Sequence, residues 1–128
     1  FAQLRWQFPE TRLIVVGPGS PDKDCYRVLS ERSLKDVVFV GPVSYDLLAR
    51  YYNTADIFCT PATGKESFGI VLLEAMASST PIVATDIDGY SALLETGGID
   101  VGQVVRHVVH VGLLCIHPGG CCNSYWHG

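Results

Sequence analysis

Arg12-Leu-Ile-Val-Val-Gly-Pro-Gly19 is the stretch whose reading decides the fold. Leu13, Ile14, Val15 and Val16 run without a polar interruption into Gly17-Pro18-Gly19. A strand with one wet face alternates apolar and polar side chains. A wholly apolar run is covered on both faces, and Gly-Pro-Gly ends it in a tight turn. The same unit recurs downstream. Val37-Val-Phe-Val40 closes at Gly41-Pro42, Asp56-Ile-Phe-Cys-Thr60 at Pro61, and Pro81-Ile-Val-Ala-Thr85 at a polar turn. Segments with helical spacing lie between them. Asp22 to Ser33 carries Tyr26, Val28 and Leu29 among charges. Tyr45 to Thr54 follows Ser44 as a good N-cap, with Leu47, Leu48 and Tyr51 on one stripe. Phe68 to Ser78 is so apolar that burial on most sides is expected. Phe1 to Phe8 reads as the end of a helix stopped by Pro9, and Gly89 to Glu95 as a short last helix. Apolar strands alternating with helices predict an α/β fold, a Rossmann-like doubly wound parallel sheet. Ligands bind such sheets at the carboxyl ends of the strands. Three of those ends stand out: Gly17 to Gly19, Pro61 to Phe68, and Thr85 to Tyr90.

Composition divides the chain. Residues 1–95 hold 8 of the 9 Lys+Arg and 12 of the 13 Asp+Glu. Residues 96–128 hold only Asp100 and Arg106, yet carry all 4 His, 3 of 5 Cys and 7 of 13 Gly. The expected organisation is one partial nucleotide-binding domain over 1–95 and an atypical Cys/His/Gly-rich tail over 96–128. That tail reads as disordered or non-native coding sequence. The competing reading is that Val111-Gly-Leu-Leu-Cys-Ile-His-Pro-Gly-Gly120 is a strand that closes the sheet. Net charge is −4 and no basic cluster is present, so nucleic-acid binding through a basic face is not expected. The longest apolar stretch, Val108 to Ile116, is interrupted by His110 and falls far short of the ~20 residues that span a bilayer. No charged n-region with an apolar h-region opens the chain, so no secretory signal is expected, and the chain reads as one cut from something longer. Cys25 and Cys59 follow no disulfide spacing and suit reduced thiols of a cytoplasmic protein.

Pro61-Ala-Thr-Gly-Lys-Glu-Ser-Phe-Gly-Ile-Val-Leu-Leu-Glu-Ala-Met-Ala77 carries the chemistry. Glu66 stands in a loop ahead of a helix, and Glu74 stands inside it. Two carboxylates eight positions apart on one helix would point about 80° apart and lie ~12 Å apart along the axis, so Glu66 is better placed in the loop. Ser67 to Ile70 would offer free N–H groups and the positive end of the helix dipole, which suit a phosphate. Gly69, without a Cβ, lets the backbone approach it. Carboxylates on either side accept hydrogen bonds from hydroxyls. A diphosphate between two polyhydroxylated rings, as in a nucleotide sugar, fits this arrangement.

Glu66-Ser-Phe-Gly-Ile-Val-Leu-Leu-Glu74-Ala-Met-Ala resembles the E-x7-E motif of the family 4 retaining glycosyltransferases, which have the GT-B fold. The order around it is similar to their C-terminal donor-binding domain, over about residues 1–95, and most of all to phosphatidylinositol mannosyltransferase-like members. The resemblance implies that Glu66, the one residue it places at the reacting sugar, contacts the donor sugar's hydroxyls. Ser67, Phe68, Gly69 and Ile70 would give backbone contacts to sugar and phosphate, and Glu74 would hold the ribose hydroxyls. Gly41 to Val43 would lie by the base, and Gly17 and Gly19 would line the same cleft. The donor would be GDP-mannose or a UDP-sugar, with no metal and no cofactor. The donor phosphate would assist the acceptor, so no protein base is nominated. Four departures matter. The Arg and Lys that neutralise the diphosphate would lie upstream of Phe1, as would the acceptor-binding half. The chain is therefore expected to be an incomplete enzyme, at most a weak donor binder alone. Ser78-Ser79-Thr80 replaces the usual glycine cap after the motif helix, and Lys65 replaces a small residue. The acceptor would be a sugar or glycolipid, with peripheral attachment of the full-length enzyme to the cytoplasmic membrane face.

Competing readings are weaker. Gly17-Pro-Gly19 lacks the third glycine and the acidic residue of a dinucleotide fingerprint. Asp86-Ile-Asp88 imitates a metal clamp but suits an Asx turn. The tail's His and Cys show no ligand spacing for zinc. A non-enzymatic Rossmann-like domain with a vestigial site, or a nucleotide-sugar epimerase fragment, are the functional alternatives.

Overall fold

A computed structural model describes residues 1–62, 68–85, 87–90 and 93, together with the backbone of 112–116. The apolar runs become β1 (Arg12–Val16), β2 (Val37–Gly41), β3 (Ile57–Thr60) and β4 (Ile82–Ala84). The helices are α1 (Ala2–Gln7), α2 (Lys23–Glu31), α3 (Tyr45–Thr54) and α4 (Ile70–Ala77). A last strand, β5, runs from Gly112 to Ile116. All pairings are parallel, in the order β2-β1-β5-β3-β4. The expected α/β parallel sheet is therefore present, in agreement with a GT-B-type Rossmann-like domain.

β5 comes from beyond the compositional break at Glu95, and it is central. It pairs with β1 from Arg12↔Gly112 to Val16↔Ile116 and with β3 from Ile57↔Leu113 to Cys59↔Cys115. The two earlier strand pairs are thus joined through the tail's strand. The sheet-closing reading of Val111 to Gly120 agrees with this position, and β5 finishes the middle of the sheet rather than an edge. The chain runs outward from β1 to β2, crosses to β3 and β4, and returns to the middle. That reversal places a crevice at the carboxyl ends of β1, β5 and β3.

The core lies under this crevice. Val16, Tyr52, Phe58, Ala62, Val71, Leu72, Ala75 and Tyr90 form one buried cluster. Each large apolar member contributes roughly 1.5–3 kcal/mol by leaving water. Phe58 meets Tyr52 edge to face, with ring centroids 5.3 Å apart at 68°, the arrangement that ring quadrupoles favour.

Helix ends follow local chemistry. Asp22 caps α2 by accepting from the Cys25 N–H at 2.8 Å, so it precedes the helix rather than starting it. Ser44 holds the N-cap position of α3, but its side chain makes no capping bond; its carbonyl accepts the Leu48 N–H instead. α2 and α4 both end in a Schellman motif. Leu34 N–H reaches Leu29 C=O and Ser33 N–H reaches Ser30 C=O; Thr80 N–H reaches Ala75 C=O and Ser79 N–H reaches Met76 C=O. Glycine normally fills the left-handed position of this motif. Here Ser33 and Ser79 occupy it, at φ +51° and +54°. α1 is tied on by an Arg5–Asp36 ion pair and by Arg5 donating to Thr11 C=O at 3.0 Å. Among the described residues, no helix is long and apolar enough to cross a membrane.

Candidate functional site

Two groups of predicted residues meet the carboxyl edge of the sheet on either side of β5. The first is built by glycines. The β1–β2 register slips between Val15 and Val16, so Val16 partners Gly41. Gly17 N–H then donates to Gly41 C=O at 3.0 Å. Gly17, Gly19 and Gly41 have φ of +145°, +108° and +82°, all in the region that disfavours side chains. The turns after β1 and β2 therefore lie side by side, with Val43 half-buried just beyond.

The second group is the start of α4. Ala62 is buried at the end of β3, and the chain is described again from Phe68. Glu66 and Ser67 lie outside the described residues, as do Lys65 and Asp86. The expected helix over Phe68 to Ser78 begins two residues late. Gly69 is its N-cap in the left-handed conformation, φ +67° and ψ +46°, which a helical residue does not adopt. Leu72 N–H folds back onto Gly69 C=O at 2.8 Å, so the donors left over in the first turn belong to Ile70 and Val71. Burial on most sides is also corrected. Val71, Leu72 and Ala75 are buried, but Phe68, Ile70 and Leu73 are 60%, 63% and 38% exposed. Ile70, Leu73 and Ala77 share one helical stripe, and it faces away from the core.

Gly69 has a reason to be glycine that its sequence did not reveal. A Cβ there would stand 2.9 and 3.0 Å from Tyr90 Cδ1 and Cε1, and 3.2 Å from Leu72 Cδ1. The Tyr90 ring occupies the space that the missing side chain leaves. Tyr90 is fully buried and shares a 2.8 Å hydrogen bond with the Thr60 hydroxyl. Thr85, at the end of β4, donates its hydroxyl to Ala62 C=O, and its N–H to Thr60 C=O at 3.3 Å. The floor beneath the N-terminus of α4 is thus knitted from Thr60, Thr85 and Tyr90. Thr85 and Tyr90 bound a strand-end loop that the sequence marks, and Thr60 ends a strand, but no local pattern reveals that the three meet.

Glu74 reaches from α4 toward α3. It is half-buried, and its Oε2 accepts the Tyr52 hydroxyl at 2.9 Å. The same hydroxyl lies 3.2 Å from Val71 C=O. Burial raises the Tyr52 phenol well above its usual pKa, and the bond to Glu74 and that carboxylate's charge raise it further. Tyr52 is therefore a neutral donor and Glu74 its acceptor. Nothing local in the sequence marks this bond, which spans 22 positions.

Asp88 is exposed, and among the described residues no three His, Cys, Asp or Glu side chains converge as a metal site would require. Cys25 is buried and Cys59 half-buried, both as thiols outside any disulfide.

Comparison with known proteins gives this edge its context. The description "Glycosyl transferases group 1" matches residues 1–112. Over 99 residues the chain is 41% identical to the phosphatidyl-myo-inositol mannosyltransferase of Mycobacterium tuberculosis, covering 77% of this chain and 25% of that protein. It is 31% identical over 118 residues to the alpha-monoglucosyldiacylglycerol synthase of Acholeplasma laidlawii, 87% of this chain and 29% of that one. It is 33% identical over 128 residues to the D-inositol 3-phosphate glycosyltransferase of Mycobacterium bovis, 89% and 26%. The chain spans about a quarter of the length of these relatives. With the alternating parallel architecture in place, the chain belongs to the group 1 glycosyl transferases (GT4) and is similar to the phosphatidyl-myo-inositol mannosyltransferases.

Proposed function

We propose that this chain is the donor-binding part of a retaining glycosyltransferase that moves a hexosyl group, mannosyl or glucosyl, from a nucleoside diphosphate sugar to an acceptor hydroxyl. The observation that carries the reading is the convergence of the Gly17–Gly41 pair and the α4 N-terminus on one edge of a parallel sheet, flanking its central strand. Gly17 and Gly19 line the cleft in this reading, and Gly41 and Val43 face the base. Ser67, Phe68, Gly69 and Ile70 offer backbone to sugar and phosphate. Glu66 contacts the sugar hydroxyls and Glu74 the ribose. The exposed Phe68 and Ile70 suit this, because their main chain stays reachable.

The hexosyl assignment draws on relatives named for mannosyl and glucosyl products. The acceptor, a sugar or glycolipid, would be held by parts of the relatives' length that this chain does not match. A cytoplasmic location at the membrane face belongs to the same proposal. As the donor part alone, residues 1–128 are expected to bind weakly. Saturation-transfer NMR with GDP-mannose, UDP-glucose and GDP tests the reading. At least one should bind the folded chain, and Glu74→Gln should weaken it about tenfold, the loss expected for a hydrogen bond to a charged group. Equal and negligible binding of all three would refute the donor assignment.

A further inference from the structure

We propose that Tyr52 is a positioning residue, whose hydroxyl holds the Glu74 carboxylate ready for the ribose hydroxyls of the donor and so sets a preference for ribonucleotides. The inference rests on the donor reading above. Glutamate has several rotatable bonds, and a glutamate free to rotate must surrender that freedom when it binds. Tyr52 removes part of this cost beforehand, because it is itself held at every point. It is 1% exposed. Its ring is fixed edge to face against Phe58. Its main-chain carbonyl accepts the buried Thr80 hydroxyl at 2.9 Å, just past the end of α4. Its own hydroxyl then reaches back into that helix, 2.9 Å from Glu74 Oε2 and 3.2 Å from Val71 C=O. α3 thus grips α4 at two levels through one residue, and the upper grip falls on the motif's second glutamate.

The direction of the bond matters. A phenol offers one proton, and an ionised carboxylate only accepts. Tyr52 uses one of the roughly four lone-pair directions of a carboxylate and leaves the others open. Whatever Glu74 binds next must itself donate, as hydroxyls do and phosphates at neutral pH do not. Raised by burial, the Tyr52 phenol keeps its proton at any physiological pH, so the arrangement is permanent rather than switched.

The test compares GDP and UDP with their 2′,3′-dideoxy forms, by NMR titration of wild type, Tyr52→Phe and Glu74→Gln. Wild type should favour the ribonucleotide about tenfold. Tyr52→Phe should cut that ratio to about threefold while dideoxy affinity stays within about twofold. Glu74→Gln should lower the ratio as well, and adding Tyr52→Phe to it should change nothing further. An unchanged ratio in Tyr52→Phe overturns the proposal, as does equal weakening of both ligands, which marks a merely structural role. Ligands that bind wild type without discrimination overturn the ribose role of Glu74 and this proposal with it, while leaving a phosphate site standing. Should Tyr52→Phe not fold, the wild-type Tyr52 hydroxyl proton answers instead. Its resonance should move with the ribonucleotide and not with the dideoxy form, and the opposite result overturns the proposal.

Discussion

Gly69→Ala is the substitution with the most readable consequence. Two independent costs meet at this position. The backbone sits at φ +67°, ψ +46°, where an L side chain costs roughly 1–2 kcal/mol. The new methyl would also stand 2.9 and 3.0 Å from two Tyr90 ring carbons and 3.2 Å from a Leu72 methyl. Both neighbours are fully buried and cannot swing away, so overpacking adds roughly 1–3 kcal/mol. Alanine returns about 0.4–1 kcal/mol by restricting the unfolded chain. The net expectation is a loss of about 2–4 kcal/mol, or a drop in Tm of roughly 8–16 °C at this size. Urea and thermal unfolding followed by circular dichroism measure it. The two costs separate in a Tyr90→Ala background, where Gly69→Ala should cost only the backbone part less alanine's return, about 1 kcal/mol. A Gly69→Ala protein within about 0.5 kcal/mol of wild type, or a cost that does not fall when Tyr90 is removed, would refute the reasoning.

Other expectations follow from the same physics. Ser33→Gly and Ser79→Gly should each stabilise by about 0.5–1 kcal/mol, the left-handed penalty less glycine's entropy, and should add, since they end different helices; urea midpoints measure both. Truncation after Val111 should abolish cooperative unfolding, because it leaves β1–β2 and β3–β4 as separate two-stranded pairs, which are marginal alone; a sharp transition in the shortened chain would show that the tail's strand is dispensable. Tyr52, with its pKa raised in the folded state, binds its proton more tightly folded than unfolded. Its contribution is whole below the unfolded pKa of ~10 and falls by up to ~1.4 kcal/mol per pH unit above it. Urea unfolding between neutral pH and pH 11 should show this fall, and Tyr52→Phe should remove it.

Much of the fold was legible because its strands are wholly apolar and its helices charged or striped. Tyr45 to Thr54 was read to the residue. The start of α4 was not, because Gly69 looks like an ordinary helix-entry glycine until its dihedrals and the Tyr90 ring are seen. Gly17 and Gly41 take their expected places, one lining the cleft and one by the base, only from the family resemblance. Their mutual hydrogen bond depends on a register slip that no local pattern encodes. Glu74 could be singled out as a charge in an apolar helix, whereas Tyr52, 22 positions away, becomes its partner only through the packing of α3 on α4. β5 was obscured because its surroundings lack the charge that marks the rest of the chain.

The central claim is that a nucleoside diphosphate sugar lies across the two halves of the carboxyl edge. An amide chemical-shift titration of the labelled chain with GDP-mannose and UDP-glucose tests it most directly. The account predicts shifts at Gly17, Gly19, Gly41 and Val43 together with Phe68, Gly69, Ile70 and Glu74. Shifts confined to one of the two groups, or centred on α1 and α2, would contradict it.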